Sequence, residues 1–86
     1  MKFNNEILEN KRKDLTKRIK LASGIPLEDK ILNCTEIEIK GGYYNLTYVR
    51  KDGKNFSQGD CNRISGNGIY ATKKNNEIFI KTKFED

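Results

Sequence analysis

Between Asn4 and Ser23 the apolar residues recur at helical spacing. Counted at about 100° per residue, Leu8, Leu15, Ile19 and Ala22 fall in one narrow stripe, and Lys13, Lys17 and Lys20 gather on the opposite side. Asn4 or Asn5 can cap the start of this helix, and Gly24 followed by Pro26 ends it. Glu9→Lys13 and Asp14→Arg18 stand in the favourable order for pairs one turn apart. The helix should therefore dock its Leu/Ile stripe and leave its lysines in water. The next segment, "PLEDKILNC" (26–34), reads as a short second helix. Pro26 suits a first helical position, Glu28 and Asp29 suit the positive dipole end, and Leu27 and Ile31 lie four apart.

From Thr35 the period changes to two. "TEIEIK" alternates Glu36, Glu38 and Lys40 with Ile37 and Ile39, the pattern of a half-buried strand. After Gly41-Gly42 comes "YYNLTYVRK", rich in aromatic and β-branched residues. Asp52-Gly53 is a two-residue hairpin signal, from which "KNFSQ" would return. In that register Val49 faces Phe56 and Arg50 faces Asn55, and Tyr44, Leu46 and Tyr48 share the face of Arg50 and Asn55. Both faces then carry apolar weight, which predicts a strand covered on both sides. "GDCNRISGNG" (59–68) reads as a loop or bulged crossing, with positive φ expected at Asn67 or Gly68.

The last stretch, "GIYATKKNNEIFIKTKF" (68–84), reads as two strands turning at Asn75-Asn76. One face holds Ile69, Ala71, Ile78 and Ile80. The other holds Tyr70 and Phe79 among Lys74, Lys81 and Lys83. The tail 84–86 is expected to fray. Together these elements predict a single α+β domain over residues 1–86. An N-terminal helix, with a short second helix, packs on a curled four- to five-stranded antiparallel meander; a partly closed barrel is the alternative.

The chain of 86 residues carries 17 Lys+Arg against 12 Asp+Glu, a net charge of +5. A basic balance favours a polyanionic partner. Lys, Asn and Ile supply 33 residues (13, 10 and 10), a bias that an AT-rich genome would also produce, and the two signs of charge are intermixed. With 34% charged and 35% hydrophobic residues the core is thin, and an open sheet leaves edge strands, so homodimerisation is a natural expectation.

With two cysteines, Cys34 and Cys61, and no histidine, the chain falls short of the four Cys/His ligands a structural zinc site usually takes; the pair could instead form a disulfide, and no cofactor is expected. "MKFNNEILENKRKD" contains no apolar signal region and no run reaches membrane-spanning length. The expectations are a cytoplasmic protein, no membrane partner and reduced thiols.

Rings set among lysines are the surface by which single-stranded nucleic-acid binders stack bases and follow phosphates. The leading expectation is thus a non-catalytic binder of nucleic acid or of a nucleic-acid-bound protein complex. Its contacts would be Tyr70, Lys74, Phe79, Lys81 and Lys83, with Lys13, Lys17 and Lys20 adding electrostatic reach. A second expectation is a phage or mobile-element inhibitor of a host defence protein, acting by protein–protein contact. A third is a toxin-like ribonuclease without histidine, drawing on Tyr70, Arg50, Arg63 and Glu36. Cys61 beside Arg63 has the makings of a nucleophile with no base to activate it, and "SGNG" (65–68) reads as a turn or an anion nest.

Overall fold

The computed structural model describes residues 5–83; the alternative cap Asn4 and the tail 84–86 lie outside them. Six elements follow one another: α1 (Asn5–Ser23), β1 (Leu32–Lys40), β2 (Tyr43–Arg50), α2 (Gln58–Ile64), β3 (Ile69–Lys74) and β4 (Glu77–Lys83). The four strands form one antiparallel sheet in the order β1-β2-β4-β3, giving the expected α+β fold. Both helices pack on one side of it, and the outer edges of β1 and β3 carry no strand partner among the described residues.

Helix α1 buries Leu15 and Ile19 and half-buries Leu8 and Ala22, the stripe that its spacing predicts. It stops at Gly24, whose φ of +69° lets the Ile25 amide donate back to the Lys20 carbonyl at 2.9 Å. Ile25 is then folded into the core, completing a Schellman-type cap. Glu9 takes Arg12, not Lys13, as its ion-pair partner, and Arg18 donates its Nε to the Ile64 carbonyl at 2.8 Å.

No second helix forms over 26–34. The Asp29 amide reaches the Pro26 carbonyl at 3.3 Å in a single turn, and from Leu32 the chain is in the sheet, with Leu32 opposite Arg50 and Cys34 opposite Tyr48. Cross-strand pairing and the burial of Leu32 outweigh the helical signals. A bulge between Cys34 and Glu36 restores the alternation, so that Ile37 and Ile39 face the helical side.

The Asp52-Gly53 hairpin is also absent, and its register with it. Strand β2 is already paired on both edges: Tyr43–Val49 bond to β4, and the other edge belongs to β1. Residues 51–57 therefore have no edge to join. They turn locally, with Asp52 accepting from Arg50 Nε (2.9 and 3.0 Å) and from the Lys54 amide (3.1 Å). Phe56 still reaches the core, through a loop rather than opposite Val49, and its amide bonds to the Asn75 carbonyl at 3.0 Å.

The expected loop 59–68 begins instead as α2. Ser57 Oγ accepts from the Asp60 amide (3.1 Å) while the Asp60 carboxylate accepts from the Ser57 amide (2.9 Å), a reciprocal capping box. Cys61 and Ile64 enter the core from this helix. A tight turn follows with positive φ at both Asn67 (52°) and Gly68 (83°). The chain has thus crossed from β2 to β3 over the helical side, leaving room for β4 between them, an arrangement of the split β-α-β kind.

At the centre, Tyr44, Leu46 and Tyr48 of β2 and, beside them, Ile78 and Ile80 of β4 form the sheet's share of the core under the helices. The Tyr48 hydroxyl donates to the Arg12 carbonyl at 3.0 Å and lies 3.1 Å from Thr16 Oγ1, tying the sheet to α1.

Two consequences are measurable. Ser57→Ala should cost about 0.5–2 kcal/mol in urea unfolding with an unchanged m-value, because only the cap is lost. Burial also holds the Tyr48 phenol well above its ordinary range. Since the folded state resists ionisation, this group contributes its full stability below the unfolded pKa of about 10 and loses it as pH rises beyond, at about 1.4 kcal/mol per pH unit. Urea melts from pH 9 to 11 should show a shallower decline in Tyr48→Phe than in the parent chain.

Candidate functional site

The side of the sheet away from the helices has no covering element among the described residues, contrary to the expectation that β2 is sandwiched. Side chains paired directly across antiparallel strands point to the same face, so the register maps this surface row by row. One row runs Lys40, Tyr43, Lys83. The next runs Glu38, Asn45, Lys81, Tyr70. A third runs Glu36, Thr47, Phe79, Thr72, and the last brings Val49, Glu77 and Lys74 together.

The Asn75-Asn76 turn is in the expected place, and the final hairpin has its two expected faces. Asn75 takes φ +55°, a conformation that asparagine tolerates better than most residues. Asn76 fastens the turn by donating its side-chain amide to the Arg50 carbonyl at 2.9 Å. Ile78 and Ile80 are buried, Ile69 and Ala71 half-buried. On the open side Tyr70 is 60% exposed and Phe79 37%.

Tyr70 stands opposite Lys81 and Phe79 opposite Thr72, which makes the two rings diagonal neighbours about 7–8 Å apart along the backbone. Between them lies a shallow depression lined by Asn45, Thr47, Tyr70, Thr72, Phe79 and Lys81. Lys81 leans across the face, its ammonium 4.4 Å from the centre of the Tyr43 ring.

Charge is unevenly spread on this surface. Lys40, Lys81 and Lys83 gather at the end nearest the Gly41-Gly42 turn, whereas Glu36 and Glu38 form an acidic column on edge strand β1. The face therefore offers rings, hydroxyls, an amide and cations over β2, β4 and β3, bordered by carboxylates.

The three helix lysines are not part of it. The hydrophobic core and the sheet separate α1 from the open face, and Lys13 and Lys17 are exposed on the far side of the molecule. Lys20, expected in water, is only 8% exposed; its ammonium donates to the carbonyls of Leu27 (2.9 Å) and Asp29 (3.0 Å). The helix bends its chain back sharply at Gly24, and this brings those carbonyls within reach of a side chain near the helix end.

The four residues of the ribonuclease expectation do not meet. Tyr70 and Glu36 are on the open face but on β3 and β1, the two opposite edges, three strand spacings or about 14 Å apart. Arg50 is buried on the helical side against Asp52 and the Phe56 ring. Arg63 holds α2 to α1, donating Nε to the Ala22 carbonyl at 2.9 Å and Nη2 to Asp60 at 2.6 Å. Cys61 is buried, which pushes its thiol pKa up, so the neighbouring Arg63 does not make it a nucleophile. Both cysteines are free thiols. "SGNG" is a turn: Gly66 and Ile69 exchange two 2.9 Å backbone bonds, and Ser65 Oγ accepts from the Ala71 amide at 3.1 Å.

Sequence reasoning missed Tyr43, Asn45, Thr47 and Thr72. Their pairing with β4 and β3 gives them their place, and the hairpin assigned to 52–53 hid the pairing of β2 with β4. Among the described residues no cluster of three metal-ligating side chains occurs, and no helix is long and apolar enough to cross a membrane. Comparison with known protein families, with curated proteins and with solved structures gives no match.

Burial raises the pKa of both thiols, with Cys34 half-buried and Cys61 sealed in the core. Native protein at pH 8 should react with a disulfide reagent in two phases, Cys34 first, and Cys61 about tenfold or more slower than in urea. A Cys61 that reacts as fast as an unfolded thiol would show that α2 is not docked.

Proposed function

We propose that the protein binds single-stranded nucleic acid on the open face of its sheet, with bases stacking on Tyr70 and Phe79. The observation that supports this reading most is the exposure of those two rings on adjacent strands, with Lys81 beside them and hydrogen-bonding side chains between. Exposed rings on an apolar-backed sheet give up little on solvation and accept the flat face of any base. Four-stranded sheets that present rings in this way are a known solution for single-stranded RNA. Here that is an analogy of arrangement alone.

The charge pattern suggests how a strand lies. Phosphates follow Lys81, Lys83 and Lys40 towards the Gly41-Gly42 end, with Lys74 at the other end of β3. Glu36 and Glu38 repel the backbone from the rest of β1, so that it meets this strand only at Lys40 and otherwise lies over the other three. Asn45, Thr47 and Thr72 offer both donors and acceptors to base edges. Duplex bases are stacked inside their helix and out of reach of the rings, so duplex affinity should be the lower.

A second reading, inhibition of a host protein by direct contact, is favoured by one observation. The Glu36–Glu38 column beside lysines makes a mixed-charge surface, which suits a protein partner as well as a polyanion.

Fluorescence anisotropy with labelled mixed-sequence single-stranded DNA and RNA at low salt tests the first reading. Tyr70→Ala and Phe79→Ala should each weaken binding by about 1–3 kcal/mol, roughly 5- to 150-fold. Lys81→Ala should flatten the salt dependence by about 0.7 in the log–log slope. No detectable binding in low salt would end this reading; a protein captured by the wild type, resistant to nuclease and lost in Tyr70→Ala, would establish the second.

A further inference from the structure

On the opposite side of the molecule a second surface has the composition of an anion site. One flank of α1 and Leu27 of the following loop form an open cavity of about 270 Å³, lined by Arg12, Lys13, Thr16, Lys17, Lys20 and Leu27. Four of its six lining residues are cations and none is a carboxylate. Lys13, Lys17 and Lys20 are brought there by spacings of four and three, one face of the helix.

Lys20 distinguishes this place from an ordinary solvated helix face. It is more than nine-tenths buried, and among the described residues no carboxylate stands within ion-pair distance of it. An ammonium has three donors. Two go to the Leu27 and Asp29 carbonyls, and these oxygens solvate the charge without neutralising it. Buried charges are ordinarily paired, because an uncompensated one forfeits its hydration. The third N–H and the unneutralised charge belong to a residue that lines the cavity.

The neighbouring cations are not equally free. The Arg12 guanidinium is held by Glu9 through both Nε and Nη2, and Thr16 spends its hydroxyl hydrogen on the Arg12 carbonyl or the Tyr48 oxygen. Lys13 and Lys17 are exposed and available. Leu27, itself half exposed, and the aliphatic stems of the lysines supply the apolar part of the lining.

We propose that this cavity binds a phosphate group, with Lys20 as its buried anchor and Lys13 and Lys17 closing over it. Tetrahedral phosphate oxygens accept several donors at once and carry the charge the cavity lacks. The phosphate belongs either to a phosphorylated small molecule or to a nucleic-acid backbone passing over α1. The proposal is independent of the open-face reading, because the sheet separates the two surfaces.

The test is an NMR titration of the full chain with inorganic phosphate, at ionic strength held constant with sodium chloride. Saturable amide shifts confined to residues 13–20 and 25–29 are expected. Lys17→Ala and Lys13→Ala, both at exposed positions, should leave the spectrum otherwise folded and weaken binding at least about tenfold. Lys20→Met should abolish it; because this change also removes the bonds to the loop, the two exposed variants carry the test if it fails to fold.

Two further arms identify the source, a nucleoside monophosphate and a single-stranded oligonucleotide added to the Tyr70→Ala/Phe79→Ala double variant. Saturation by the nucleotide alone assigns a small molecule, and saturation by the oligonucleotide assigns a backbone phosphate. Shifts that grow linearly, spread over all lysines, or persist unchanged in Lys17→Ala and Lys13→Ala would overturn the proposal.

Discussion

Strand β2 is hydrogen-bonded along both edges, to β1 through the Gly41-Gly42 turn and to β4 through a strand from the far end of the chain. Its alternate residues must then divide between the two faces, because the side-chain period of a strand is two. Tyr44, Leu46 and Tyr48 go inward and Tyr43, Asn45, Thr47 and Val49 go outward. Once β4 occupies the inner edge, β3 can only sit outside it. The chain from 51 to 68 has to cross, and α2 is what it builds on the way. Both helices then lie on one side and the other side is left open. The open face is thus a consequence of where β4 inserts.

The parts of this fold that can be read from the sequence are those whose determinants lie close together in the chain. The hairpin at Asn75-Asn76 is local: two alternating runs joined by two turn residues, with a register that follows from their spacing. The stripe on α1 is local too, and so is its end, since Gly24 supplies the positive φ of the cap. The parts that mislead are those where a local signal competes with a distant partner. Asp52-Gly53 has good hairpin chemistry, but the edge it needs belongs to β4. The segment 26–34 has good helix-start chemistry, but Leu32 and Cys34 gain more by pairing with Arg50 and Tyr48. A sequence signal for α2 did exist: Ser57 and Asp60 stand at capping-box spacing, just before the apolar positions Cys61 and Ile64. The glycines around them concealed it.

The candidate site divides along the same line. Tyr70, Phe79, Lys74, Lys81 and Lys83 belong to one local hairpin, and their outward placement is legible from alternation alone. Asn45, Thr47 and Thr72 join them only through pairing that the sequence does not declare. Charge in a sequence carries no address, so the helix lysines and those of the hairpin read as one basic set. Layering separates them: α1 and β4 sandwich the core, so cations pointing away from it on each layer are on opposite surfaces of the molecule.

A net charge of +5 therefore describes no single surface. On the open face Lys40, Lys74, Lys81 and Lys83 are offset by Glu36, Glu38 and Glu77, leaving it almost neutral in sum though polarised from β1 to β3. Around the α1 cavity, among the described residues, only Glu9 offsets the four cations, through its ion pair with Arg12. Any attraction that depends on accumulated charge is thus concentrated on the helical side, whereas the proposed partner of the sheet side would be held by ring contact and local polarity. Rings work at contact range and lysines over a Debye length of about 10 Å. Under the two proposals the surfaces accordingly have different tasks: the helical one would attract a small concentrated charge, and the sheet would recognise something flat once it arrives. A lysine-biased composition explains how many cations the chain has. It does not explain why one of them is buried without a counter-ion, or why two rings stand in water on a sheet whose other side has a core to receive them.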